Sequence, residues 1–248
     1  MTEADAIDCI RPDWPAPPGV NALTTLRSGG YSLGAYAGFN LAMHTGDDAN
    51  AVARNRRLLR DCFQLPSEPA WLSQVHGRSL LRADTARDNA EADGSWSDSA
   101  GTVCVVLTAD CLPLLLCDRA GSRVAAIHAG WRGLHRGIIS AAVEALAVPA
   151  RDLLVWLGPA IGADAFEVGE DVYDSFVRKN TANSAAFRPR HESHWLCDIY
   201  TLAGIELAEL GVESVYGGGF CTSSDTARFY SYRRDGVTGR MASLIWLA

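Results

Sequence analysis

The sequence predicts a mixed α/β fold around a central β-sheet, and three observations carry that prediction. The middle of the chain holds short apolar runs: TVCVVL (102–107), PLLLCD (113–118), RVAAIH (123–128) and LLVWLG (153–158). Runs this short, rich in Val, Leu and Ile, suit strands buried on both faces. Helical stretches lie before, between and after them. No clean βαβ repeat appears and no G-x-G-x-x-G opens a helix, which argues against a dinucleotide-binding Rossmann arrangement.

The elements follow in order. Residues 20–50 are glycine-rich and read as a short strand followed by a long irregular connection. Asp47 or Asp48 caps a helix through AVARNRRLLRDCF (51–63), which Pro66 ends. A polar, acidic loop occupies 84–100. After the third apolar run, HAGWRG (128–133) turns into a helix near 134–147 that ends by Pro149. Helices at about 169–179 and 198–210, with strands near 212–217, 228–233 and 241–247, complete the reading. No repeat, low-complexity tract or linker divides the 248 residues, so the expectation is one domain spanning 1–248.

Composition removes several functions. The net charge is −7 with no basic block, which argues against nucleic-acid binding. Lys179 is the only lysine and sits in a polar stretch, so Schiff-base and pyridoxal-phosphate chemistry lack an activated amine. A G-x-x-x-x-G-K-[ST] loop is absent. The seven cysteines contain no C-x-x-C, which removes ribbon-type zinc sites and thioredoxin-like pairs. The N-terminal stretch has neither a basic region nor an apolar core, and no apolar run reaches the ~18 residues of a membrane span. The expectation is a cytoplasmic protein with reduced thiols. No heptad or large apolar stripe calls for a second subunit, so a monomer is expected.

Two of the six histidines stand at strand ends beside a glycine: His76 before Gly77, and His128 two residues before Gly130. Cys111 sits between two buried runs. If these strand ends converge, two imidazoles and a thiolate offer the three ligands of a catalytic zinc site with one position open. Such a metal lowers the pKa of a bound water to about 7. Two other readings stay open. Cys111 and His128 also make a thiolate–imidazolium dyad, and all three are equally residues a core accommodates.

Further candidates are weaker. Gly30-Tyr31-Ser32-Leu33-Gly34 matches the nucleophile elbow, but the residues after it start a helix poorly. His191-Glu192-Ser193-His194 lies in a very polar stretch and reads as a solvated loop. Arg27, Arg132 and the pair Arg233-Arg234 offer forked donors for an anionic substrate, with Arg132 best placed, four residues after His128. Trp131 offers a face on which a base can stack.

LSQVHG (72–77), TADCLPLLLCD (108–118), AAIHAGWRGL (125–134), WLGPAIG (156–162), FEVG (166–169) and YSYRRDGVTGRMASLIWL (230–247) occur together and in order. With TLRSGGYSLGAYAGFNLAMHTGDD (25–48), they make the chain resemble, end to end, the bacterial YfiH-type family, also called the laccase-domain or peptidoglycan-editing-factor family. The resemblance implies a single-domain α/β (α+β) sandwich. It also implies a metal, usually zinc with copper as the alternative, on His76, Cys111 and His128.

The family's functional names differ. Members are described as phosphorylases of adenosine, inosine and methylthioadenosine with adenosine deaminase activity, as polyphenol oxidases, and as editors of wrong amino acids in peptidoglycan precursors. A multicopper oxidase needs about ten histidines, largely as H-x-H pairs, on ligand-count grounds. Six histidines and no H-x-H argue against that chemistry here. A single zinc suits deamination, although the glutamate of the usual H-x-E motif is missing and Asp110 is the candidate substitute. Phosphorolysis requires a phosphate in line with C1′, for which Arg132 and Arg27 are candidates. The leading expectation is a zinc enzyme of purine nucleosides and phosphate. The alternatives are a zinc or Cys–His amidase acting on a nucleotide-linked cell-wall precursor, polyphenol oxidation by one bound copper, and a metal-holding scaffold without catalysis.

Overall fold

A computed structural model describes residues 7–248; the first six, part of the N-terminal stretch considered above, lie outside it. The strands are β1 (Cys9–Ile10), β2 (Val20–Thr25), β3 (Leu72–Ser73), β4 (Leu80–Arg82), β5 (Ala90–Glu91), β6 (Gly94–Ser97), β7 (Cys104–Thr108), β8 (Leu112–Asp118), β9 (Val124–Ala129), β10 (Leu153–Leu157), β11 (Glu167–Gly169), β12 (Phe187–His191), β13 (His194–Cys197), β14 (Ser214–Gly217) and β15 (Met241–Leu247). The helices are α1 (Ala49–Phe63), α2 (Trp131–Arg136), α3 (Ile138–Leu146), α4 (Glu170–Lys179), α5 (Ile199–Glu209) and the one-turn α6 (Tyr232–Asp235).

Two sheets form the centre. One has strand order β1-β2-β15-β7 and the other β14-β10-β8-β9-β6-β4. Alternation along each strand explains why the apolar runs are continuous: both faces are buried. In β8, Leu112, Leu114 and Leu116 pack against α3 and α5 residues such as Ile139 and Leu202, while Leu115 and Cys117 join Cys104, Val106 and Ile245 between the sheets. Val105 and Leu107 of β7 face the opposite way, onto Leu59 of α1. The layers therefore run helix, sheet, sheet, helices, a mixed α+β sandwich as expected. Leu115 is fully buried between the sheets. Leu115→Ala is expected to lose about 3–5 kcal/mol of stability in urea unfolding, because a cavity there has rigid sheet on both sides.

Helix α1 starts where Asp48 accepts a hydrogen bond from the Asn50 N–H. Its buried Asn55 donates to the Asn40 carbonyl and to Ser32 Oγ and accepts from the Tyr31 N–H, fixing the glycine-rich connection.

Four expectations need correction. The helix anticipated over 134–147 is two helices, broken at Gly137 in the left-handed region (φ 84°). The acidic loop at 84–100 contains β5 and β6, and β6 pairs with both β4 and β9. Its sequence GSWS lacks a strand signature because a Cβ at Gly94 would stand 2.8 Å from Ile127 Cγ2, so close sheet contact requires glycine there. The strand anticipated at 228–233 is replaced by α6, which Ser231 caps. The stretch around His191 and His194 is a hairpin, β12 with β13, whose tip side chains are exposed.

Candidate metal centre and cavity

The site lies at one edge of the central sheets. Cys111 occupies the turn between β7 and β8, where Asp110 takes the left-handed φ of 94°. His128 stands near the end of β9, opposite Pro113. His76 follows β3 with φ 57°. Gln74 positions that segment: its side chain accepts from the Leu107 N–H at 2.7 Å and donates to the Leu107 carbonyl at 2.8 Å. This clamp brings His76 to the end of β7.

Asp93 organises both histidines. The carboxylate has no exposure, accepts from the backbone N–H groups of Val75, His76 and Gly77, and meets His128 Nδ1 at 2.9 Å. Burial alone would raise the Asp93 carboxyl, but the bonds from His128 and from the Gly77 and His76 N–H groups hold it below its ordinary value. With Nδ1 engaged, His128 keeps Nε2 for a ligand, the arrangement by which a carboxylate orients a metal-binding imidazole.

One ligand atom from each of His76, Cys111 and His128 lies within 4.8 Å of the others. Two imidazoles and a thiolate are a suitable donor set for zinc or copper. Gly130 leaves room for it: a Cβ there would stand 2.8 Å from Cys111 Sγ and 3.3 Å from His76 Cδ2. Gly130 has φ −65°, so Gly130→Ala carries no backbone strain. The expected result is a loss of metal affinity of about tenfold or more from the displaced sulfur, measured by chelator competition.

Burial pushes the Cys111 thiol up, but the His128 charge and hydrogen bonds from His128 and His76 outweigh it and hold the thiol at about 6. Burial also works against the His128 imidazolium, yet Cys111 and Asp93 keep its pKa up at about 9. The metal-free pair is thus thiolate and imidazolium. Iodoacetamide alkylation of Cys111 in metal-free protein is expected to rise through a midpoint near pH 6, well below the ~8.5 of a free thiol. A midpoint above 8 contradicts this geometry.

The three residues open onto a cavity of about 490 Å³. Its lining includes the apolar Leu107, Ile161, Phe166 and Trp131 together with Arg132, Arg233 and Arg240. A more open depression of about 570 Å³, lined by Glu167, Arg190 and His194, adjoins it and shares Arg233.

The structure sorts the remaining candidates. Arg132 lines the cavity, its guanidinium 4.4 Å from the Trp131 ring centroid. Asp110 also lines it, but Thr222 Oγ1 and the Arg233 N–H each bond one of its oxygens at 2.6 Å, so its carboxylate anchors two loops. Arg27 is not among the lining residues; it lies over the Tyr230 ring and donates to the Thr226 carbonyl. Arg234 turns inward onto the Thr222, Ser223 and Phe229 carbonyls. Ser32 is buried, bonded by Asn55 and followed by a single 3-10 turn, so no nucleophile elbow exists. His191 and His194 sit 4.4 Å apart on the hairpin, outside the metal-binding group. Sequence reasoning missed Asp93, Gln74, His44 and Arg240. Asp93 lay inside the supposed acidic loop, and no motif set Arg240 apart from the basic residues around it.

Residues 21–248 match the family described as multi-copper polyphenol oxidoreductase laccase. A purine nucleoside phosphorylase of Pseudomonas aeruginosa is 54% identical over 239 residues, covering 96% of this chain and 98% of the relative. The Escherichia coli purine nucleoside phosphorylase YfiH is 49% identical with the same coverage. A crystal structure of a Neisseria meningitidis protein superposes with a TM-score of 0.94 at 48% identity, covering 96% of this chain and 98% of that one. With a fold and a sequence shared from β2 to the C-terminus, the chain belongs to the YfiH family.

Proposed function

We propose that this protein is a zinc-dependent purine nucleoside phosphorylase acting on adenosine, inosine and methylthioadenosine, with adenosine deamination as a side activity. The observation that carries the reading is the cavity itself: the His76–Cys111–His128 group, apolar and aromatic side chains and three arginines line one space. The names of the relatives from Pseudomonas aeruginosa and Escherichia coli support the same activity. His76, Cys111 and His128 would hold the zinc, which supplies a Lewis acid beside the bound nucleoside.

Phosphorolysis forms a bond from a phosphate oxygen to C1′ and breaks the C1′–N9 bond. The bonding electrons leave with the base, which takes up one proton, giving free purine and ribose 1-phosphate. Trp131 and Phe166 provide faces for a planar base. The arginines hold the phosphate as preorganised donors. Laccase chemistry fits less well, because the described residues contain one group of metal donors and the chain has six histidines without H-x-H. We also place the protein in the cytoplasm: no disulfide joins cysteines among the described residues, which suits a reducing compartment. No described helix is long and apolar enough to cross a membrane.

One observation favours a second reading. Asp93, His128 and Cys111 follow one another as orienter, base and nucleophile, as in a cysteine hydrolase. That arrangement suits an amidase on a nucleotide-linked cell-wall precursor. A panel of adenosine, inosine and methylthioadenosine, each with and without phosphate, separates the two when run on metal-quantified protein with chromatographic detection. Phosphate-dependent base release with about one zinc per chain supports the phosphorylase. Zinc without nucleoside turnover supports the amidase.

A further inference from the structure

The three cavity arginines lack carboxylate partners. Among the described residues, no guanidinium nitrogen of Arg132, Arg233 or Arg240 has a carboxylate oxygen within 4.0 Å, whereas those of Arg82, Arg190 and Arg234 each do. Arg240 is the most telling. It is half-buried, and only its Nη1 is used, donating to the Thr238 and Gly239 carbonyls at 2.9 and 3.0 Å. Nε and Nη2 have no protein acceptor among the described residues, although a guanidinium taken from water without a counter-ion is costly. The nearby negative groups are Cys111 and Asp110, and both Asp110 oxygens are already bonded.

The backbone that carries two of these arginines is fixed. Arg233 and Arg240 come from one segment, α6 and the turn before β15. Its two ends are pinned: Arg233 N–H to Asp110, next to Cys111, and Arg240 N–H to Asn40 Oδ1 at 2.9 Å. His44 lines the cavity with them. Arg233 spends Nη1 on the Glu167 carbonyl at 2.9 Å, so the open donors are its remaining N–H groups with Nε and Nη2 of Arg240. Forked donors on fixed backbone match a tetrahedral oxyanion better than a neutral ligand.

We propose that Arg240, together with Arg233, forms the subsite for inorganic phosphate, set by the pinned 231–240 segment beside Cys111. This rests on the phosphorylase reading for its substrate, but phosphate binding is testable without turnover. In the holoenzyme, Arg240→Gln is expected to raise the phosphate KM by about 10- to 100-fold while the inosine KM stays within about threefold. Arg240→Lys, which keeps a point charge and loses the fork, should fall between.

Direct phosphate binding by calorimetry, with no nucleoside present, distinguishes the failures. If wild-type protein binds phosphate, Arg240→Gln does not, and no nucleoside is cleaved, the subsite stands and the phosphorylase reading falls. If nucleosides are cleaved with phosphate and both Arg240 variants keep the wild-type phosphate KM, the subsite is wrong and the phosphorylase reading stands. A crystal of the wild-type holoenzyme soaked in tungstate, a heavy phosphate mimic, settles the place even if the variants do not fold. Tungstate on the Arg240 and Arg233 guanidiniums is the expected result, and tungstate bound elsewhere in the cavity overturns it.

Discussion

Cys111→Ala is expected to reduce bound metal from about one equivalent to near zero and to lower kcat/KM by at least about 10³-fold. Cys111 offers one of the three donor atoms that could hold a metal, and its thiolate is the anionic one, already drawn into ionised form by His128 and His76. Two imidazoles that remain bind a divalent ion far more weakly. The fold should survive, because Cys111 sits in a turn at the sheet edge and not among the layers packed by Leu115 or Ile139. Metal analysis, circular dichroism and turnover on the same preparation check this. A variant that unfolds would instead assign the metal a structural role.

The second large effect belongs to Asp93. Its carboxylate satisfies three backbone N–H groups of the 75–77 turn and one imidazole nitrogen, all without exposure to water. Asp93→Ala leaves those donors unpaired and should cost about 3–5 kcal/mol in urea unfolding. Asp93→Asn keeps the volume and loses the charge, so the expected change is a 10- to 100-fold loss of metal affinity, roughly the cost of removing an orienting partner.

The pH dependence follows from the sign of the shift. The Asp93 carboxyl lies below its ordinary value in the folded protein. Its contribution is therefore present above the unfolded value near 3.9 and is lost as pH falls through the lower, folded one. Metal-free wild type should lose stability in that acid window, and Asp93→Asn should lack that component. Equal acid sensitivity in both proteins contradicts the role given to Asp93.

These two residues also mark the limit of what the sequence makes legible. The runs that become β7, β8, β9 and β10 stand out because burial on both faces demands unbroken apolar residues. His76, Cys111 and His128 stand out because polar or reactive groups at the ends of such runs have little packing purpose, and the family motifs contain all three. Asp93 does not stand out. Its work is done through hydrogen bonds to a turn 16–18 residues earlier and to His128, 35 residues later, and no local pattern records such partners. Strand β6 is hidden for a related reason, since small residues make it fit and they also compose loops. Phe229 and Tyr230 look like strand residues yet bury themselves against Leu26 and Met241 without pairing, which is why the strand anticipated there is absent. Arg240 becomes meaningful only when its missing carboxylate is seen.

In the proposed function, one metal centre on His76, Cys111 and His128 serves nucleoside phosphorolysis in the cavity beside it. The most direct measurement follows phosphate-dependent release of hypoxanthine from inosine through metal removal by a chelator and reconstitution with zinc. Release is expected to stop in metal-free protein and to return as zinc approaches one equivalent per chain. Release that continues at full rate without metal, and stops only when Cys111 is alkylated, would contradict it and leave the Asp93–His128–Cys111 arrangement as the catalytic unit.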